Sequence, residues 1–432
     1  MLIRSKKAKL TIRSGSLPKS TLISTFRSCL CEMNRVEEID LTIRGSTLKE
    51  FLRDLPKSAP QLHTLRLQIL SEIRFSIHED FLYDTERLQR VELTNCNISW
   101  DSQLLTGLTC LTLKNSLKAN SSITQFLHAL RRMPALTHLD LYDSIPDDSE
   151  GPSTYEVVDL PCLRVLNISS GIDSLTAFLR HISFAHSTIL DLTCKGDYST
   201  DTNFSKFFSV LATKFLSTLA IRSLRAGYPD EGSPQNESLE FYLWTTLLNQ
   251  DNFPSPSNSQ SRLHLVLKWF LPQSHDYVKV LSSAFGVMNL SFLTQLQISI
   301  SDEIDSRMLV ETFGKLPLLE RVCVQSFEPQ PRPFFDALVY KTEAAEKSKT
   351  AYCNVSFPKL RYIHLIWADF ELNNPTSMVS VDMLLDCLME RYERNAEVEV
   401  LRLEDCYSLS PDEVERLKEV VVDVIWDGLG KY

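Results

Sequence analysis

Apolar and polar positions alternate in a short pattern from Leu88 to Ile98, which reads LQRVELTNCNI. Large apolar residues occupy its first, fourth and sixth places, and a small residue, Cys96, occupies the ninth. The alternation over 91–93 predicts a strand with one apolar face, and the small residue predicts a turn back towards a core. One such strand cannot bury its apolar face alone, so the pattern predicts that copies of it stack on both sides.

Copies of the strand core, an apolar–any–apolar triplet, recur along the whole chain. The first six begin at positions 39, 65, 91, 111, 139 and 166, so successive copies are 26, 26, 20, 28 and 27 residues apart. Spacings of about 20–29 residues are typical of leucine-rich repeats, in which each unit carries one strand. The copies are Ile39/Leu41, Leu65/Leu67, Val91/Leu93, Leu111/Leu113, Leu139/Leu141, Leu166/Ile168, Leu190/Leu192, Leu219/Ile221, Leu265/Leu267, Leu296/Ile298, Val322/Val324, Ile363/Leu365 and Leu401/Leu403.

A helical pattern precedes several of these strands. Apolar residues at i, i+3, i+4 and i+7 predict helices over 48–55, 123–130, 175–182, 204–211 and 381–388. Parallel strand–helix–strand connections turn right-handed, so the units are expected to coil into an arc. The predicted fold class is therefore α/β, a leucine-rich-repeat solenoid (horseshoe) with parallel strands on the concave face and helices on the convex face.

The repeat predicts a single domain over 1–432, with about twelve to thirteen irregular repeats. Polar, Pro-containing stretches predict insert loops near 143–159, 227–261 and 328–358, and within the second of these 239–248 fits either a helix or a strand. Near the end, Ser410-Pro411-Asp412-Glu413 has the residues of a capping box. It predicts a C-terminal capping helix over 410–426.

Composition and charge exclude several function classes. The net charge of −10 disfavours a nucleic-acid partner bound through its phosphates, and no apolar run is long enough for a membrane span. The basic N-terminus lacks the apolar run of a signal peptide, so we expect a cytoplasmic or nuclear protein. We also expect it to be a monomer. The sequence has no G-x-S-x-G, no phosphate loop, no H-E-x-x-H and no paired C-x-x-C. We therefore expect no enzyme activity, no cofactor and no metal site.

The polar residues that flank the second apolar residue of each triplet are expected to project from the concave face. Their mixed charge, with a tyrosine and a nearby tryptophan, suits a protein or peptide partner better than a small molecule. The alternative is that these positions are polar only because they face water. The predicted partner-binding residues are Arg66, Glu92, Lys114, Asp140, Tyr142, Asp191, Arg222, His364, Trp367 and Arg402.

Three stretches carry a resemblance to a known family: the opening MLIRSKKAKLTIRS, the late FPKLRYIHLIWADF, and VEVLRLEDCYSLS with the following VVVDVIWDG. They resemble the leucine-rich-repeat region of the F-box proteins of mushroom-forming fungi. The F-box itself is not found in this chain, so either Met1 is the true start or an upstream exon is missing from the gene model.

The resemblance implies a protein–protein interaction scaffold that is the substrate-recognition part of an SCF-type ubiquitin ligase subunit. Its partners would be a target protein and, if an F-box lies upstream, the ubiquitin-ligase adaptor. The alternative is a free-standing leucine-rich-repeat binding protein with no ligase link.

Overall fold

The structure is a computed structural model that describes residues 8–14, 31–44, 58–70, 75–77, 81–116, 122–146, 157–196, 201–228, 238–248, 261–269, 276–300, 304–326, 331–339, 355–370 and 379–429. The chain divides into two compact units, Met1–Gly196 (unit 1) and Asp197–Tyr432 (unit 2). The single domain over 1–432 stays a prediction. Each unit carries the leucine-rich-repeat pattern of stacked parallel strands, so the predicted α/β leucine-rich-repeat fold is confirmed.

Unit 1 is built on a parallel sheet in which neighbouring strands are one repeat apart. Two pairs of short strands lie outside this sheet. The sheet strands, in spatial order, are β1 (Leu10–Ser14), β2 (Val36–Ile43), β3 (Thr64–Ile69), β5 (Arg90–Thr94), β7 (Cys110–Lys114), β8 (His138–Tyr142), β10 (Val165–Gly171) and β12 (Ile189–Gly196). The short strands are β4 (Phe75–Ser76), β6 (Cys96–Asn97), β9 (Val158–Leu160) and β11 (Ile182–Phe184), and the described helices are α1 (Ile123–Arg131) and α2 (Ile172–Arg180).

The main-sheet strands of unit 2 are parallel to one another except for one strand. Its strands are β13 (Ser223–Gly227), β14 (Ser238–Trp244), β15 (Leu263–Trp269), β16 (Gln295–Ile300), β17 (Arg321–Ser326), β18 (Tyr362–Ile366), β19 (Val400–Glu404) and β20 (Asp423–Trp426). In space they follow the order β15-β14-β13-β16-β17-β18-β19-β20. The helices are α3 (Asp201–Lys214), α4 (Asp276–Val287), α5 (Ser306–Thr312), α6 (Arg332–Leu338), α7 (Val381–Glu393) and α8 (Pro411–Lys418).

The predicted insert at 227–261 is the main departure from the sequence-based expectation. Its segment 239–248, which fitted either a helix or a strand, contains β14, and this strand pairs antiparallel with both β13 and β15. The sheet of unit 2 is therefore mixed, whereas parallel strands alone were predicted. β14 reads SLEFYLW and is buried on both faces, so the one-sided alternation that marks the other strands is absent from it.

Two further insert boundaries also change. The predicted loop at 143–159 runs into β9, and the predicted loop at 328–358 contains α6. The rest of these inserts (147–156, 229–237, 249–260, 327–330 and 340–354) and the predicted helix at 48–55 lie outside the described residues. The other four predicted helices are confirmed within a few residues as α1, α2, α3 and α7.

The predicted capping helix over 410–426 is shorter than expected. The capping box is present, since the Ser410 side chain accepts from the Glu413 N–H and the Glu413 carboxylate accepts from the Ser410 N–H. The helix α8 ends at Lys418, however, and the chain then forms β20, which pairs in parallel with β19. The apolar residues over 420–425 are compatible with one face of a helix and also with a strand. All of them are valine or isoleucine, which are β-branched and favour the strand.

A repeated turn ends the strands and returns the chain to the core. The residue after the strand has a left-handed backbone, with φ between 48° and 57° at Asn95, Asn115, Asp143 and Asp405, and a small residue follows it. At the first of these turns the Cys96 thiol donates to the Leu67 and Thr94 carbonyl oxygens at 3.7 and 3.3 Å. Cys96 is fully buried, so it satisfies backbone acceptors in the core, as predicted for a turn-filling residue.

Candidate functional site

One face of the unit 1 sheet has an accessible position on every strand. The leucines of each triplet are buried on the opposite face, whereas the residues between them are half-buried or exposed. We call the accessible side the open face. Because the register is preserved from strand to strand, its central positions form a single row: Arg13, Asp40, Arg66, Glu92, Thr112, Asp140, Asn167 and Asp191.

The first half of this row is an ion-paired network centred on Arg66. Its guanidinium donates to Glu92 at 2.9 Å and to Glu38 at 2.7 Å, and it lies 3.6 Å from the Asp40 carboxylate. Arg13 adds a second guanidinium 2.9 Å from Glu38. The hydrogen bond to Glu92, with the charges of the neighbouring carboxylates, raises the pKa of Arg66 above its ordinary value despite partial burial. Positive and negative charges therefore largely cancel over β1 to β5.

The second half of the row has a different character. The Asp140 carboxylate accepts from the Thr112 hydroxyl at 2.8 Å and from the Asn167 amide at 2.6 Å, one bond to each oxygen. Both donors are uncharged, so they fix the orientation of the carboxylate without cancelling its charge. Asp191, two strands further along the same row, is exposed. We call Thr112, Asp140, Asn167 and Asp191 the acidic half of the open face.

An aromatic residue borders the acidic half. Tyr142 lies two residues beyond Asp140 on β8, and the Lys114 ammonium sits 4.8 Å from the centre of its ring. Burial raises the pKa of Tyr142, and the charges of Asp140 and Asp191 raise it further. Beyond the strand end, Lys195 pairs with Asp143 at 2.8 Å. The ring therefore lies in a negative field and already attracts a cation from its own chain.

In unit 2 the middle of the corresponding row is closed, whereas its outer members, His264 on β15 and Arg402 on β19, are half-buried. Its members on β14, β13, β16, β17 and β18 are at most 6% exposed, and they are Tyr242, Arg225, Gln297, Cys323 and His364. The chain after β14 contributes to this closure. The Gln295 side-chain amide makes hydrogen bonds to both the N–H and the carbonyl of Leu248, and Ser223 donates to the Thr246 carbonyl.

His364 lies in a hydrogen-bonded chain within this closed part of the row. Its Nε2 is 3.1 Å from a Glu404 oxygen, and its Nδ1 is 3.6 Å from the Cys323 sulfur. A carboxylate only accepts, so Nε2 carries the proton and the thiol donates to Nδ1. Burial lowers the pKa of His364 to about 3, and the positive charges of Arg402 and Arg321 add to the effect. Glu404 does not reverse it, because its charge is shared with Arg402 at 2.8 Å.

The ten predicted site residues therefore separate into groups. The structure brings Arg66, Glu92, Lys114, Asp140, Tyr142 and Asp191 together on the open face of unit 1. Arg402 is half-buried on β19, and His364 is buried beside it rather than displayed. Arg222 is not on a strand face, because Leu219/Ile221 precede the strand and β13 begins at Ser223.

Trp367 occupies an unusual backbone position. It follows β18 with φ of 59°, at the turn where other repeats place Asn or Asp, and the small residue after it is Ala368. A bulky side chain in the left-handed region costs about 1–2 kcal/mol. Its N–H donates to the Glu404 carbonyl at 3.1 Å, which helps to hold this conformation.

The ten predicted site residues leave out Asn167, Thr112 and Glu38, although Asn167 and Thr112 occupy positions that the repeat predicts on the concave face. Asn167 was recognisable as a central-row position, since it stands between Leu166 and Ile168, but its role in bracing Asp140 appears only in three dimensions. Glu38 lies one residue before a predicted triplet, and its bond to Arg66 depends on the register between β2 and β3.

In the comparisons with known proteins, only solved structures match the chain, at low sequence identity. No family model and no curated protein matches the chain. A solved complex of TLR13 with the RNA ssRNA13 matches at a TM-score of 0.36 and 13% identity, over 96% of this chain and 45% of that one. A leucine-rich-repeat protein of Leptospira interrogans matches at 0.30 and 12%, over 99% and 97%. The chain spans less than half of the TLR13 chain, and these low values carry no functional information.

Two other features are absent from the described residues. No described helix is long and apolar enough to cross a membrane. In the same part of the chain, no three His, Cys, Asp or Glu side chains form a group that could hold a metal ion. What the described surface does offer is a leucine-rich-repeat face lined with ordered polar and charged side chains.

Proposed function

We propose that this protein is a protein–protein interaction scaffold that binds its partner on the open face of unit 1 and catalyses no reaction. The single observation that supports this most strongly is the in-register row of accessible polar side chains across β1 to β12. Several of these side chains are held in place by neighbours, as Arg66 and Asp140 are. A surface of pre-oriented groups loses little conformational entropy when a partner binds.

The closed part of the row in unit 2 supports the same choice of surface. His364 and Arg225 are each 6% exposed, so a partner could reach them only after a rearrangement of the surrounding structure. The open face of unit 1 needs no such movement. For this reason we propose that the partner contacts Tyr142, Asp191 and Arg66. Trp367 and Arg402 are not at the centre of the proposed contact surface.

Affinity purification from the source cells would test this proposal. Wild-type protein, Tyr142→Ala, Asp191→Lys and the control Glu86→Gln would each be used as bait, with quantitative mass spectrometry as the readout. Glu86 is exposed in the turn before β5, away from the open face. We expect to find partner proteins that are recovered with the wild type and with Glu86→Gln but not with Tyr142→Ala or Asp191→Lys. Equal recovery with all four baits would remove the open face from the proposal.

We propose further that the chain is the substrate-recognition part of an SCF-type ubiquitin ligase subunit. This finer proposal is supported by the resemblance of the opening and late segments to fungal F-box proteins. Translating the genomic sequence upstream of Met1 would reveal an in-frame F-box, and purification of that longer chain would recover the ligase adaptor. If neither is found, the free-standing binding protein is the better proposal. The predicted cytoplasmic or nuclear location is testable by microscopy of a tagged chain.

A further inference from the structure

We propose that the acidic half of the open face binds an extended segment of a partner protein through two cationic side chains, one facing Asp140 and one facing Asp191. This deepens the proposed function and rests on it. The partner segment would carry arginine or lysine residues, and it would be neither an α-helix nor a strand of a β-sheet.

Charge complementarity is the first argument. The carboxylates of the first half already face guanidinium groups, as Glu38 and Glu92 face Arg66. Asp140 instead faces a hydroxyl and an amide, which hold both of its oxygens in place while its charge remains. A cationic side chain of a partner would meet a carboxylate that is already oriented, which favours binding to it over other surface acids.

The neighbouring aromatic residue is the second argument. The Lys114 ammonium lies 4.8 Å from the centre of the Tyr142 ring, so this part of the face already associates with a cation. Burial raises the pKa of Tyr142, and the charges of Asp140 and Asp191 raise it further, as expected in a negative field.

The spacing of the two carboxylates restricts the conformation of the partner. Asp140 on β8 and Asp191 on β12 flank β10, and strands lie about 4.8 Å apart, so the two backbone positions are about 10 Å apart. In a polyproline II chain, residues three apart point in the same direction and are about 9.3 Å apart. In a β-strand, same-side residues are separated by about 7 or 13 Å, which fits less well.

A helix with basic residues seven apart would also span about 10 Å. However, a helix is about 10–12 Å wide, so it would also cover the next row, where Lys114 would repel its cations. An extended chain stays above the central row. The geometry therefore favours a motif of two basic residues separated by two others, in the polyproline II conformation.

Selection from a displayed library of random twelve-residue peptides tests this inference. The library would be selected on the full-length wild-type protein, and enriched peptides would be measured against Asp191→Asn, the double variant Asp140→Asn/Asp191→Asn, and a control, Glu86→Gln/Asp101→Asn. Glu86 and Asp101 are exposed outside the central row, so the control removes the same charge. Thermal melting would check that Asp140→Asn, which alters two hydrogen bonds, still folds.

The expected result is enrichment of peptides with two basic residues three positions apart. Each lost ion pair should weaken binding about 2- to 5-fold, and the double variant about 4- to 25-fold, with no change in the control. If Asp140→Asn fails to fold, the single Asp191→Asn variant still gives the smaller loss.

Three other results would overturn the inference. In the first, the enriched peptides lack this spacing, for example because they are helical with basic residues seven apart, but they fail to bind Tyr142→Ala. That result would overturn the inference and leave the proposed function standing. Peptides unaffected by every open-face variant would remove both the inference and the proposed function. No enrichment at all from a library that contains such peptides would also count against the inference.

Discussion

The buried histidine of unit 2 gives the sharpest quantitative prediction. His364 is neutral in the folded protein, since burial and the charge of Arg402 lower its pKa to about 3 from an ordinary value of 6.5. In the unfolded chain its pKa returns to the ordinary value. Between these two values the unfolded chain binds a proton that the folded protein does not, so acid favours unfolding.

The magnitude follows from the pH interval. Each pH unit between the two pKa values changes the free energy of unfolding by about 1.4 kcal/mol. The neutral histidine contributes its full stabilisation above about pH 6.5, and this contribution is lost progressively as the pH falls towards 3. A shift from pH 7.5 to pH 5.0 crosses about 1.5 units of that window, so it should lower the stability by about 2 kcal/mol.

Urea denaturation followed by tryptophan fluorescence is a suitable assay, because four of the five tryptophans lie in unit 2. Wild-type protein and His364→Gln would be compared at pH 7.5 and pH 5.0. Taking the difference between them cancels the titration of all other groups. The variant should be less stable at pH 7.5, because it loses the contacts to Cys323 and Glu404, but its loss between the two pH values should be smaller by about 2 kcal/mol. An equal loss in both proteins would refute the burial of a neutral His364.

Three substitutions test the framework. Arg391→Ala should lower the free energy of unfolding by about 3–5 kcal/mol, measured by urea denaturation. Arg391 is buried, and its guanidinium donates at 2.7 and 2.9 Å to the carbonyls of Ser356 and Phe357, which would lose their donor. Cys96→Leu should lower the melting temperature far more than Cys96→Ser, because the fully buried turn has room only for a small side chain that can donate a hydrogen bond. Equal melting temperatures of the two variants would contradict this role of Cys96. Leu141→Ala should cost about 2–5 kcal/mol, and an unchanged denaturation midpoint would contradict the register of β8.

The regular repeats were predictable because local sequence and tertiary packing demand the same pattern there. The triplet at Leu139/Leu141 marks β8, and the apolar quartet over 123–130 marks α1, since each must bury one face against its neighbours. Hence six of the ten predicted site residues lie together on one surface.

The departures arise where burial is decided by distant segments. β14 is buried on both faces, so it lacks the alternation that identifies a strand. The shift of the strand from 219–221 to 223–227 depends on pairing with β14 and β16, and it moves Arg222 off the sheet face. Likewise, no local pattern around His364 indicates that its side of the sheet is covered.

Carboxyl footprinting tests the central claim, that a protein partner covers the open face of unit 1, most directly. The protein would be labelled with a carbodiimide and an amine, with and without a captured partner or selected peptide, and the modification of individual acids would be read by mass spectrometry. The account predicts that binding reduces the labelling of Asp191, while Glu393, which is exposed at the end of α7 in unit 2, is labelled equally in both states. Unchanged labelling of Asp191 in a saturated complex would contradict it.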